Sequence, residues 1–95
     1  MMRFEDLEVW KRAARLSADI YLQLRDLRDF GFKDQITRSG LSIPSNIAEG
    51  FESSTQQTFI KYLGYAKASA GEVRAQLYIV KDQGYISEED FKKAF

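Results

Sequence analysis

Lys67, Arg74 and Lys81 recur every seven residues, with Tyr78 between the last two. On a helix that interval keeps side chains on one side. Cations in such a row neutralise phosphates, and an aromatic ring among them stacks on an exposed base, the combination used to hold single-stranded nucleic acid. The alternative for Tyr78 is packing, because the surrounding segment is apolar on several sides. A second constellation lies earlier in the chain, in SIPSNIAEGF at 42–51. Arg38, Ser42, Ser45 or Asn46, and Glu49 fall on one helical face there, opposite the isoleucines. They offer a polar site whose Arg38 and Glu49 would contact RNA, a ligand or another subunit.

Neither histidine nor cysteine occurs in the chain. The commonest general bases, nucleophiles and metal ligands are therefore missing, and so is any disulfide. Di-iron helical bundles need Glu-x-x-His pairs, and the glycines are too isolated to form a phosphate-cradling loop. A carboxylate-only Mg²⁺ site from Glu49 and Glu52 is the one metal option, yet both residues fit a surface loop equally well. The chemistry reads as non-enzymatic, with no cofactor and no metal.

The chain must position these residues with limited means. Its 95 residues make one domain, 1–95, and a domain of that size buries only roughly 60–65% of its unfolded surface. With no disulfide or histidine-containing metal site to help, packing and oligomerisation are the remaining sources of stability. Fourteen basic residues balance fourteen acidic ones, which weighs against a dedicated nucleic-acid binder but leaves room for a local basic patch. No apolar run approaches membrane-spanning length, and MMRFEDLEVW carries acids where a secretory leader needs an apolar core. The expected setting is the cytoplasm, with no membrane partner.

One proline and abundant Ala, Leu, Lys, Arg and Glu favour an all-helical domain. The first helix is expected to open at Asp6 as its cap and to run to Phe30. Leu7, Trp10, Ala14, Ser17, Tyr21 and Leu24 would form its packing face, and Gly31 its left-handed end, with Phe32 folded onto Leu27. Its cations Lys11, Arg12 and Arg15 read as a solvated face, with Glu8 placed to pair Arg12 and Asp19 to pair Arg15. Trp10 invites a stacking role, but its place on the apolar seam assigns it to the core or a subunit interface.

A second helix, Lys33–Glu49, would bury Ile36, Gly40, Ile43, Ile47 and Phe51. Pro44 interrupts it and frees the Gly40 carbonyl, predicting a kink; the alternative is two short helices, with Ser42 capping the second. Backbone groups freed at a proline need partners, so the structural reading of Ser42, Pro44, Ser45, Asn46, Glu49 and Gly50 is favoured. The serines would satisfy the backbone, and Asn46 and Glu49 would bond the next helix or subunit.

The third helix, about Thr55 to Gln83, carries an apolar heptad series through Phe59, Leu63, Ala66, Ala70, Val73, Leu77 and Val80. A second stripe, Gly64, Ala68, Gly71 and Ala75, is uniformly small, inviting close approach by another helix of the bundle or of another subunit. Being apolar on more than one side, this helix is expected at the centre. Gly84 would end it, with Tyr85 on Val80. Beyond, Ser87 and Asp90 resemble a capping box, and Phe91, Ala94 and Phe95 begin a fourth helix that the sequence does not finish.

FEDLEVWKRA at 4–13, SIPSNIAEGF at 42–51 and FIKYLGYAKASAGEVRAQL at 59–77 resemble bacterial four-helix-bundle proteins encoded in intervening sequences of large-subunit ribosomal RNA genes. SIPSNIAEG is the most specific of the three, and the resemblance spans essentially the whole chain. It implies an antiparallel up-and-down bundle of four helices assembling as a homopentamer. It also implies kinship with retroelement accessory proteins that bind nucleic acid and a reverse transcriptase. This chain departs from the pattern in two places. Glu52, Ser53 and Ser54 stand where relatives often carry glycine and basic residues, removing positive charge from that loop. The fourth helix is also cut short after Phe95, which implies a fragment, or an open groove for a partner or neighbouring subunit.

Two functions follow from these readings. One is a non-enzymatic oligomer that associates with RNA or DNA through Lys67, Arg74, Lys81 and Arg38. The other is a structural adaptor that docks a protein partner, with nucleic acid irrelevant.

Overall fold

The computed structural model describes residues 1–84 together with Glu89 and Lys92. Among them are a short 3₁₀ turn, Phe4–Asp6, and three helices: α1, Glu8–Gln23; α2, Phe30–Glu52; and α3, Gln56–Asp82. No strand occurs among the described residues, and no helix there is long and apolar enough to cross a membrane. The expectations for Tyr85, Ser87, Asp90, Phe91, Ala94 and Phe95 lie outside the described residues.

The chain enters differently from the sequence expectation. Asp6 does not cap α1. Its Oδ2 accepts from the Arg3 N–H at 3.0 Å and closes the 3₁₀ turn, while Leu7 stands at the start of α1 with no side-chain cap. The turn brings Phe4 edge-on to Trp10, with ring centroids 5.2 Å apart. Among the described residues the charge pairing also shifts, since Glu8 meets Lys11 at 3.5 Å rather than Arg12.

The first helix ends at Gln23, well before Phe30. Two local signals compete over residues 24–31: Gly31 as a helix end, and Asp29 as a helix start. Asp29 prevails, its Oδ1 accepting the Phe32 N–H at 3.2 Å as an N-cap that satisfies one free donor of the first turn. Gly31 is consequently inside α2 and does not adopt the left-handed conformation, which among the described glycines only Gly84 does, at φ +74°. Lys33 fastens the connection by donating to the Arg25 carbonyl at 2.9 Å, at the carbonyl-rich end of α1 where a cation is favourable.

Helix α2 passes through Pro44 as one helix, so the two-helix alternative is excluded. Its buried positions include the expected Ile36, Gly40, Ile43 and Ile47, and also Thr37, Ser39, Pro44 and Gly50. That width has a cause: α2 packs closely against both α1 and α3, whose backbones do not approach each other within 8 Å. The central element is therefore α2 and not α3, as its sequence had suggested. Two glycines make the dual contact close. A Cβ at Gly40 would stand 3.0 Å from Ile20 Cδ1 of α1, and one at Gly50 would stand 2.6 Å from Tyr62 Cβ of α3. Gly40 thus admits α1.

One core joins the three helices. It holds Ala13 and Ile20 from α1, Leu24 just past its end, Ile36, Ile43 and Ile47 from α2, and Ala66, Val73, Leu77 and Val80 from α3. The most completely buried large side chains, Ile36, Ile47, Val73, Leu77 and Val80, all come from α2 and α3. The heptad reading of α3 holds through this seam, with Leu63 and Ala70 packed at its margin.

Candidate nucleic-acid interface

Helix α3 is well delimited. Thr55 Oγ1 accepts from the Thr58 N–H at 3.1 Å at its start, and Gly84 takes the left-handed conformation beyond its end. Ala66, Val73 and Val80 are buried, so the residue following each, Lys67, Arg74 and Lys81, is carried out along one margin of the seam. Tyr78 follows buried Leu77 in the same way. Lys67, Arg74 and Tyr78 are exposed and Lys81 is half-buried, and the row extends about 21 Å at 1.5 Å per residue. The one acid between Lys67 and Lys81 is Glu72, whose Oε1 accepts from Ser39 Oγ of α2 at 3.0 Å. Two residues before Arg74, Glu72 lies on the opposite margin of α3 from the row. Arg74, Tyr78 and Lys81 each also take part in an interaction within the chain.

Arg38 stands apart from these cations. It lies on the exposed side of α2, with its Nε 3.0 Å from Asp34 Oδ2. The small stripe of Gly64, Ala68, Gly71 and Ala75 is exposed on the side of α3 opposite the core, and a Cβ at Gly64 or Gly71 would meet nothing within 4 Å. No helix among the described residues packs there. Ile60 and Ile79, 61% and 49% exposed, extend this face at both ends.

Two further features escaped the sequence. On the other margin of α3, Tyr62 and Tyr65 meet edge to face at 5.4 Å, and Lys61 Nζ lies 5.9 Å from the Tyr65 ring centroid. The Lys61–Tyr65 spacing of four was a legible signal for this pair. The second is an open, mainly apolar groove of about 310 Å³ between the N-terminal turn, α1 and α2, lined by Phe4, Trp10, Ala14, Leu41, Pro44 and Ala48 among others. Its walls come from distant parts of the chain, so no local pattern announces it.

The sequence profile of the 23S rRNA-intervening sequence proteins matches residues 5–95. The chain belongs to this family. No curated protein matches it.

In this member of the 23S rRNA-intervening sequence protein family, SIPSNIAEGF forms the last part of α2, and its side chains serve several structures. Pro44 and Ile47 are buried, and Ser45 is exposed at the edge of the Trp10 groove. Ser42 Oγ donates to the Ser39 carbonyl at 2.7 Å, and Asn46 Nδ2 donates to the Ser42 carbonyl at 2.8 Å. These bonds brace the carbonyls on either side of Gly40 rather than the carbonyl that Pro44 frees. Asn46 thus bonds its own helix, not the next one. Glu49 does reach the next helix, where its Oε1 accepts from Tyr62 Oη at 3.3 Å. Gly50 allows α3 to approach. Among the described residues no three His, Cys, Asp or Glu side chains are grouped closely enough to hold a metal ion.

Proposed function

We propose that this protein is a non-enzymatic, self-assembling helical protein of the cytoplasm that associates with nucleic acid through the Lys67–Arg74–Lys81 side of α3. The observation that carries the reading is the row itself: three cations along one side of a long helix, with Glu72 on the opposite margin. Zero formal net charge means that one subunit attracts phosphate only locally. Assembly multiplies such a weak patch, because linked sites gain avidity without new contacts. The exposed apolar face of α3, from Ile60 through Gly64 to Ile79, supports self-assembly. The family resemblance favours a four-helix bundle in a homopentamer. Reversing Lys67, Arg74 and Lys81 to glutamate is expected to abolish salt-sensitive RNA binding while helical content is kept. Unchanged affinity in that variant overturns the assignment.

A second reading rests on the Trp10 groove. An open apolar groove edged by an aromatic pair suits a protein partner, and the adaptor role then needs no nucleic acid. Trp10→Ala separates the two readings, since loss of partner capture with intact RNA binding favours the adaptor.

A further inference from the structure

The geometry points to a single strand, rather than a duplex, as the nucleic acid that α3 accepts, with Tyr78 as the base-stacking platform. This rests on the nucleic-acid reading of α3. Tyr78 is 46% exposed and lies four residues after Arg74 and three before Lys81, on the same side of the helix. A ring set between two cations meets the base of a strand whose backbone passes both. Paired bases are already stacked and show a protein only their edges, so a duplex has no face to offer Tyr78.

Duplex readout by α3 fails for a second reason. A helix inserted into a major groove presents its outermost ridge to base edges, and recognition needs side-chain donors and acceptors there. The ridge of α3 opposite the core is Gly64, Ala68, Gly71 and Ala75, which carry none. Nor does overall charge compensate, because the chain is formally neutral and lacks the basic excess that holds duplexes nonspecifically. Stacking is thus the source of affinity that complements the three cations, and it acts on unpaired bases alone. Phosphate and base faces are shared by RNA and DNA, so the chemistry accepts either kind of strand; a contact to the 2′-hydroxyl would favour RNA.

The test is fluorescence anisotropy with the full chain and three probes of equal length: a poly-uridine strand, a poly-thymidine strand and a mixed-sequence RNA duplex. Both strands are expected to bind more tightly than the duplex. Tyr78→Ala should weaken strand binding by roughly 5- to 150-fold, the range of one base–aromatic stack, with duplex binding unchanged and Tyr78→Phe close to wild type. Tyr65→Ala is the control, because Tyr65 is equally exposed but lies on the other margin of α3 under Lys61. It should leave strand affinity intact. Tighter binding of the uridine than the thymidine strand would add a 2′-hydroxyl contact, and equal binding would confine recognition to phosphate and base face. Equal affinity for strand and duplex, or no strand-specific loss in Tyr78→Ala, overturns the inference while leaving the cationic row in place. Failure of all three probes to bind overturns the row as well.

Discussion

Replacing Gly50 with alanine should destabilise the protein, against the ordinary effect of that substitution in a helix. Gly50 lies inside α2, where alanine is normally favoured by about 1 kcal/mol through backbone entropy. At this position the added Cβ would stand 2.6 Å from Tyr62 Cβ and 3.1 Å from Phe59 Cδ1. Carbon atoms pack best at about 3.5–4.0 Å, so α2 and α3 must separate by about 1 Å at this end. Tyr62 Cβ is fixed to its backbone and no rotamer change removes it. Overpacking of this kind costs about 1–3 kcal/mol. Set against the propensity gain, the net loss is up to about 2 kcal/mol. The upper end corresponds to a fall in Tm of roughly 8–16 °C for a domain of this size. Urea unfolding followed by circular dichroism measures it, with Gly64→Ala as reference. A Cβ at Gly64 would meet nothing within 4 Å, so that variant should match or exceed wild type. Equal stabilisation by both alanines would refute the close contact assigned to Gly50.

Four other substitutions probe the same architecture. Asp29→Ala removes the N-cap of α2 and should cost about 1 kcal/mol, whereas Gly31→Ala should be neutral or stabilising. The reverse order, by thermal melting, would return Gly31 to the role of a left-handed helix end. Ile47→Ala empties a core position that is 1% exposed and should cost about 2–5 kcal/mol, read from the denaturation midpoint. Gly71→Leu should leave helical content unchanged but break the assembly, as seen by light scattering. An oligomer of wild-type size and stability would show that the outward face of α3 is not a contact.

The helices were legible wherever one pattern ruled a segment. The heptad series from Phe59 to Val80, Thr55 before it and Gly84 after it specify α3 almost residue by residue, since periodicity and both ends agree. The isoleucines of α2 were equally clear. The boundary between α1 and α2 was not, because Gly31 and Asp29 carry opposing signals only two residues apart. Which of them acts depends on where α2 must begin to reach both neighbours. The centrality of α2 was hidden for a related reason. Small residues in α3 suggest places of close approach, but among the described residues the glycines that admit neighbouring helices are Gly40 and Gly50. A sequence shows that a residue is small, and only the packing shows what stands opposite it.

The site was legible to the extent that it is periodic. Lys67, Arg74, Tyr78 and Lys81 share one side because seven-, four- and three-residue intervals do so on any helix. That Glu72 is held by Ser39, thirty-three positions away in sequence, has no local signature. The Trp10 groove likewise joins Phe4 to Ala48 and leaves no trace in either segment.

The most direct test of the nucleic-acid assignment is a titration of the purified protein against single-stranded ribosomal RNA fragments at several salt concentrations. Affinity is expected to fall linearly on logarithmic axes, with a slope of about −2 for the three cations of one engaged subunit. Weak or absent binding that does not respond to salt, even at the lowest concentration, would contradict it and leave the protein-docking role of the Trp10 groove in its place.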